Sequence, residues 1–116
     1  MSDQQETIVL ALSSDAMGNG DDELGRMLMR SHLNVLTEAP RRPDVIVMFN
    51  GAVKLAVKGS PVLDDLRALA GHGTKILLCG TCVGYFDLKA DLAVGEISNM
   101  HDITELMLGA GKVINL

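Results

Sequence analysis

Short continuous apolar runs alternate along the chain with longer segments in which apolar residues recur every three or four positions. A continuous apolar run is typical of a strand that is buried on both faces, and the longer spacing is typical of an amphipathic helix. The runs predict strands at residues 7–12, 44–49, 75–79, within 91–96 and at 112–116.

The amphipathic segments predict helices at residues 22–38, 61–71 and 100–108, with short helical turns near 52–57 and 83–88. Asp21, Asp22 and Glu23 stand at the start of the first helix, where negative charge suits the helix dipole. Ser60 is predicted to cap the second helix, with Pro61 at its first position. In the first helix, the residues predicted to face the core are Leu24, Leu28, Leu33, Val35 and Leu36.

Strand and helix alternate throughout, which predicts an α/β protein with a parallel sheet and right-handed crossovers. We therefore expect residues 1–116 to form a single-domain, flavodoxin-like three-layer sandwich, with about five mostly parallel strands and helices on both faces. In such sheets ligands bind at the carboxyl ends of the strands. That rule selects three loops, at residues 13–22, 50–52 and 79–85.

Composition and charge exclude several classes of protein. Hydrophobic residues make up 47% of the chain, too many for a disordered protein. The net charge is −5 and no basic patch is visible, which argues against nucleic-acid binding. No apolar run approaches the roughly 18 residues of a membrane span. Residues 1–6 are polar, are predicted to be disordered and lack a signal-peptide pattern, so we expect a cytoplasmic protein.

The two cysteines of the chain stand three apart, in Cys79-Gly80-Thr81-Cys82. Thiols stay reduced in the cytoplasm, so a close pair there is more often reactive than a structural disulfide. A strand that runs into a helical turn places a thiol near unpaired N–H groups, which favour the thiolate. We predict Cys79 and Cys82 as catalytic, although one or both could be small buried residues that fell three apart.

Four neighbouring positions are predicted to bind substrate: Gly80 and Thr81 within the cysteine motif, and Asn50 and Gly51 in the loop after the second strand. Gly80 lets the backbone approach a ligand closely, and Thr81 can cap the helical turn.

Metal and cofactor sites are not predicted. A zinc site needs two ligands beyond the cysteine pair, and His32, His72 and His101 lie elsewhere in the sequence. The glycine-bearing loop at residues 13–22 lacks the spacing of a nucleotide-binding loop. A phosphoacceptor receiver domain would have an aspartate where this chain has Cys79.

Five segments together resemble a known family: GDDELGRMLM, FNGAVKLA, GSPVLDDLRAL, ILLCGTC and LAVGEISNMHDI. They are similar to the DsrE/DsrF-like sulfurtransferase superfamily, and in particular to the C-terminal domain of YedF-type selenium-metabolism proteins. The resemblance covers residues 7–116. In YedF-type proteins a TusA-like domain with its own cysteine comes first. Only six residues precede the first predicted strand here, so we expect no TusA-like domain within residues 1–116.

The resemblance implies a flavodoxin-like fold, homo-oligomers such as dimers, trimers or hexamers, and transport of sulfur, or of selenium, as a cysteine persulfide. Cys79 matches the persulfide-bearing position of the family best, and Cys82 would be an acceptor or resolving thiol. A separate TusA-like sulfur carrier is the implied protein partner. Whether the protein is an enzyme stays open at this point.

Three functions are compatible with the sequence. The first is a sulfur carrier or sulfurtransferase. The second is a thiol–disulfide redox protein in which Cys79 and Cys82 cycle between dithiol and disulfide. The third is a non-enzymatic oligomeric module, in which the seven methionines and the wide apolar face of the first helix form a subunit interface.

Overall fold

Five parallel strands form one sheet in the computed structural model, which describes residues 6–116. The strands are β1 (Ile8–Leu12), β2 (Val45–Met48), β3 (Lys75–Cys79), β4 (Glu96–Ser98) and β5 (Lys112–Asn115). Their order across the sheet is β4-β3-β2-β1-β5, and every neighbouring pair is parallel. The predicted parallel α/β sheet is therefore confirmed. The predicted disorder of residues 1–5 falls outside the described residues, and Glu6 is an exposed residue.

Four α-helices connect the strands: α1 (Asp22–Glu38), α2 (Leu63–Gly71), α3 (Gly80–Tyr85) and α4 (Met100–Gly109). Two 3-10 helices lie at Asn50–Ala56 and Lys89–Asp91. Residues of α1, α2, α3 and the first 3-10 helix pack on one face of the sheet, and α4 packs on the other. The protein thus has the three layers and the helices on both faces that the sequence predicts.

The strands are apolar on both faces because both faces are covered. Leu10, Ile46 and Leu78 point toward α1, α2 and α3, whereas Val9 and Val47 point toward α4. All five are at most 2% exposed. Each such side chain contributes about 1.5–3 kcal/mol on burial, so the central strands hold the rim of the sheet in a fixed position.

Helix α1 has the predicted bounds, but a different face packs on the sheet. Gly25, Met29 and Leu33 are buried, whereas the predicted core residues Leu24 and Leu28 are 52% and 45% exposed. Val35 is exposed as well, and only Leu33 and Leu36 of the predicted set pack inward. The cause is Gly25: a Cβ there would lie 2.8 Å from Ala16 Cβ, so the helix approaches the β1–α1 loop most closely on this side.

Two element starts differ from the sequence-based prediction. Helix α2 begins at Leu63, because the Ser60 hydroxyl accepts the Val62 N–H at 3.2 Å in a local turn instead of capping the helix. Strand β4 begins at Glu96, after a turn in which Gly95 has a φ of +84°.

None of the helices formed by residues 6–116 has the length and apolar character needed to cross a lipid bilayer.

Candidate functional site

The loops after β2 and β3 meet at the carboxyl edge of the sheet. Phe49 follows β2 and donates its N–H to the Leu12 carbonyl of β1 at 3.1 Å, which extends the pairing of the strands. The next residue, Asn50, donates its main-chain N–H to Cys82 Sγ at 3.0 Å. The structure therefore brings Asn50 and Cys82, two of the predicted site residues, into direct contact.

The two cysteines occupy different environments. Cys79 is the last residue of β3, is 2% exposed and belongs to the apolar layer beneath α4. Cys82 lies in α3, is half-buried and packs against the apolar layers on both faces. Both are free thiols. Of the two, Cys82 lines a cleft that is open to solvent, whereas Cys79 lies within the apolar layer.

Burial raises the pKa of the Cys82 thiol, and the neighbouring Cys79 thiol raises it further. The Asn50 N–H opposes both effects, since a hydrogen bond to sulfur stabilises the thiolate. The expectation that the start of a helix lowers the pKa at this position is therefore wrong for Cys82. Burial of the sulfur is the largest of the effects on its pKa.

A cleft of about 360 Å³ opens beside Cys82. Its walls are formed by Asn50, Thr81, Cys82, Tyr85 and Phe86. The Tyr85 ring is 84% exposed and stands edge-on to Phe86, with ring centroids 5.3 Å apart. Lys54 Nζ lies 4.5 Å from the centroid of Phe86, which places a cation on the aromatic wall. The cleft thus presents a thiol, an amide and an aromatic surface to solvent.

The backbone conformation of Asn50 directs its N–H at the sulfur. Asn50 has a φ of +53°, in the left-handed region that few residues other than glycine and asparagine adopt. Asn50 is the first residue of the first 3-10 helix, so its N–H meets Cys82 where the chain leaves β2 and the 3-10 helix begins. The sequence Asn50-Gly51 indicates a turn. The hydrogen bond from this turn to Cys82 stabilises the thiolate form of the sulfur.

The two predicted glycines lie beside the cleft and do not line it. A Cβ on Gly80 would lie 3.0 Å from the Ser98 carbonyl oxygen and 3.1 Å from Ile97 Cγ2, so Gly80 allows α3 to approach β4. Gly51 lies near the main chain of Ser14 and Asp15, in the loop after β1. Their positions indicate a structural contribution to the site, while substrate contact by either residue stays a prediction.

Sequence reasoning missed Tyr85 and Phe86. A usable signal was present: the chain has three aromatic residues, and all of them, Phe49 included, follow β2 or β3 closely. His32, His72 and His101 do not line the cleft. Within the part of the chain that the structure describes, no group of three His, Cys, Asp or Glu side chains is placed to hold a metal ion.

The general rule for doubly wound sheets points to a different crevice. Strand order reverses between β1 and β5, so the switch point lies there. Ser13, Ser14 and Leu116 border a cavity of about 210 Å³ at that position, and none of the residues lining it carries a thiol. Topology alone would select this cavity, and only the side-chain chemistry selects the cleft between the β2 and β3 loops.

Fold and site define a parallel α/β protein that carries a C-x-x-C pair at the carboxyl edge of its sheet. The chain belongs to the DsrE/DsrF-like family, which matches residues 2–116. This membership links it to sulfur-relay-related function. A search of the curated proteins finds none that matches.

Solved structures show the same fold at low sequence identity. The YchN protein from E. coli superposes with a TM-score of 0.75 at 19% identity, over 97% of this chain and 100% of that one. A protein of unknown function from Methanobacterium thermoautotrophicum gives 0.68 at 18% identity, over 94% and 97%. One from Bacteroides thetaiotaomicron gives 0.64 at 13% identity, over 95% of each chain.

Proposed function

We propose that this protein is a sulfur carrier, with sulfurtransferase-like chemistry, that holds a sulfur atom as a persulfide on Cys82. The observation that carries the proposal is the position of the Cys82 thiol. It borders an open cleft at the carboxyl edge and accepts a hydrogen bond from the Asn50 N–H at 3.0 Å. The N–H group stabilises negative charge on sulfur both when Cys82 attacks and when it later leaves.

Loading is a transfer between thiols. The Cys82 thiolate attacks the outer sulfur of a donor persulfide, R–S–SH. A sulfur–sulfur bond forms at Cys82, the bond within the donor breaks, and the donor leaves as the thiol R–SH. Unloading reverses these roles, since an acceptor thiolate attacks the outer sulfur and Cys82 leaves as thiolate. No net oxidation or reduction occurs in either direction.

Cys79 gives the carrier a second route. Its thiol is buried and close enough to raise the pKa of Cys82. If Cys79 attacks the inner sulfur of the Cys82 persulfide, a Cys79–Cys82 disulfide forms and hydrogen sulfide leaves. A dithiol reductant then restores the pair. This route reverses the order in the family resemblance, in which Cys79 loads first.

A persulfide donor tests the proposal directly. We expect wild type, incubated with glutathione persulfide, to gain the mass of one sulfur atom on the peptide that contains Cys82. Cys82→Ser should lose this adduct, and Cys79→Ser should retain it. Both variants remove one thiol and keep similar volume, so each is the matched control for the other. An unmodified cysteine pair in wild type would end the sulfur-carrier proposal.

The compartment and the acceptor are part of the same proposal. A persulfide carrier needs a reducing environment, which favours the cytoplasm. The exposed ring of Tyr85 offers a contact surface for an acceptor protein beside the sulfur, and a small TusA-like carrier with its own cysteine fits this role. Selenium, delivered as a selenopersulfide, would use the same nucleophile. Transfer of a labelled chalcogen to a purified TusA-like protein tests both points.

A thiol–disulfide redox function is the second candidate, because the Cys79 thiol influences the Cys82 thiol directly. It predicts a reversible disulfide between the two at a cytosolic redox potential and no retained sulfur atom after exposure to a donor. Because the second carrier route also ends in this disulfide, Cys79→Ser separates the two functions: after exposure to glutathione persulfide, intact mass should show one retained sulfur atom for a carrier and none for a redox protein.

We also propose that the protein is a homo-oligomer assembled through α1. Leu24, Met27, Leu28 and Val35 lie on one side of this helix and are 45–63% exposed. Such a stripe is apolar surface that a second copy can cover.

A further inference from the structure

A second cavity lies at the opposite edge of the sheet, where the strands begin. Its volume is about 210 Å³. Ile8 and Leu10 of β1, Leu36 of α1 and Ile114 of β5 form an apolar floor. Strand β5 is the edge strand next to β1, and all four of its residues are exposed.

Three cationic side chains surround this floor: Arg41, Arg42 and Lys112. Within residues 6–116 none of them forms an ion pair. Among the described residues, Arg41 and Arg42 donate long hydrogen bonds, of 3.5 and 3.4 Å, to the main-chain carbonyls of Glu6 and Ala39. Asp44 is the carboxylate next to Pro43, and one of its oxygens is held by the Ile8 N–H at 2.8 Å. The wall therefore carries positive charge that no described carboxylate neutralises by an ion pair.

Two nitrogen atoms of the same wall lack partners. Among residues 6–116, the shielded side-chain nitrogens or oxygens without a hydrogen bond are His32 Nε2 and Arg42 Nε. Both residues line this cavity. Buried polar groups in folded proteins are nearly always hydrogen-bonded, so a pair of exceptions in one wall needs a physical cause. Burial lowers the pKa of His32, so at neutral pH the positive charge comes from the arginines and Lys112.

We propose that this cavity binds a small monocarboxylate with a short aliphatic tail. The planar guanidinium of Arg42 matches a carboxylate in two parallel hydrogen bonds, and the tail lies on the floor formed by Leu10, Leu36 and Ile114. A rotation of the Arg42 side chain exposes its shielded Nε to the ligand. The apolar floor favours a carboxylic acid over inorganic phosphate, which has no apolar part to bury.

The size of the cavity limits the ligand. It holds about seven waters at ~30 Å³ each, which is less space than a drug-sized molecule needs. Hexanoate is a suitable probe, because it combines one carboxylate with a tail that this volume accommodates. The cavity and Cys82 lie at opposite edges of the sheet, so ligand binding here does not depend on sulfur chemistry.

Titration of the full chain with hexanoate at neutral pH, followed by amide NMR shifts, tests the proposal. We expect saturable shifts at Leu36, Arg42 and Ile114 with a Kd on the order of 1 mM. Hexan-1-ol lacks the charge and acetate lacks the tail, so each should bind about tenfold more weakly or worse. Equal binding of hexan-1-ol and hexanoate, or shifts confined to the Cys82 cleft, would overturn the proposal.

Substitutions of the cationic side chains test where the carboxylate of hexanoate binds. Arg42→Gln should weaken hexanoate binding about tenfold, and Lys112→Gln should weaken it less. Arg67→Gln is the matched control on α2, outside this cavity, and should bind as wild type does. An amide spectrum that otherwise overlays on wild type establishes that each variant is folded. Unchanged hexanoate affinity in folded Arg42→Gln would show that the carboxylate is not recognised here.

Discussion

The main-chain N–H of Asn50 donates a hydrogen bond to Cys82 Sγ over 3.0 Å. This bond joins the loop after β2 to the helix after β3. It depends on a left-handed backbone at Asn50, with φ of +53°. The reactivity of the sulfur is therefore coupled to the conformation of a residue 32 positions earlier in the chain.

Asn50→Ala should weaken this coupling, because alanine disfavours a positive φ by about 1–2 kcal/mol. We expect a comparable loss in the free energy of unfolding in urea and slower alkylation of Cys82 at fixed pH. Asn50→Gly is the control, since glycine keeps the backbone conformation and the N–H donor. Equal rates of Cys82 alkylation in Asn50→Ala and Asn50→Gly would show that the left-handed backbone at position 50 does not control the reactivity of the sulfur.

The pH dependence of alkylation reports on the Cys82 thiol. Because burial and Cys79 both raise its pKa, the rate of iodoacetamide alkylation should rise with a midpoint above the ordinary thiol pKa of about 8.5. Cys79→Ala removes one of the two raising effects and should move the midpoint down. A midpoint in wild type below the ordinary value would contradict the described surroundings of the sulfur.

The same raised pKa affects stability. A pKa that is higher in the folded state means that the folded protein holds the proton more tightly. The stabilisation is therefore complete below the unfolded pKa and is lost as the pH rises through the folded pKa. The difference in unfolding free energy between wild type and Cys82→Ala should decrease with pH above about 8.5. A difference that stays constant from neutral to strongly alkaline pH would be inconsistent with this linkage.

Gly80→Ala should displace α3 from β4. The new Cβ would lie 3.0 Å from the Ser98 carbonyl oxygen, a backbone atom that cannot give way easily. We expect a loss of about 1–3 kcal/mol in the free energy of unfolding and reduced persulfide loading. Gly84→Ala in the same helix meets nothing within 4 Å and should stabilise the protein by about 0.5–1 kcal/mol. Similar losses for both variants would show that the contact with β4 is not the cause.

Leu28→Glu should dissociate the proposed oligomer without unfolding the subunit. Leu28 is 45% exposed, so its replacement should change subunit stability by less than about 0.5 kcal/mol. Light scattering over a range of concentrations should show a lower mass than wild type. Lys58→Glu, at an exposed position outside α1, introduces an acidic residue without removing apolar surface. If Lys58→Glu lowers the mass to the same extent, net charge explains the effect and the α1 stripe does not.

The pattern of apolar residues predicted the bounds of an element well where only one arrangement of that element was compatible with the pattern. The bounds of α1 and β3 match the prediction, because an acidic start and a continuous apolar run leave little choice. The buried face of α1 was predicted less well. Apolar residues cover a wide arc of this helix, and the close approach at Gly25 decides which part packs. That contact involves Ala16 in the preceding loop, which no periodicity within the helix reveals.

The candidate site, like the fold, could be predicted from the sequence only in part. A C-x-x-C pair after a strand could be located from the sequence, as could the turn at Asn50-Gly51. The different surroundings of the Cys79 and Cys82 thiols could not be predicted from the sequence. Residues three apart across a strand–helix junction reach different surroundings, and local sequence does not state that Cys79 points beneath α4. The amide that meets Cys82 comes from another loop, so it appears only once β2 and β3 are neighbours.

Cys82 touches the apolar layers on both faces of the sheet. In the persulfide form proposed above, the extra sulfur atom lies in the cleft beside both layers, so the loaded and unloaded forms of Cys82 present different surfaces there. On that proposal, a partner protein that contacts the Cys82 cleft distinguishes the loaded form from the unloaded form by this difference in surface.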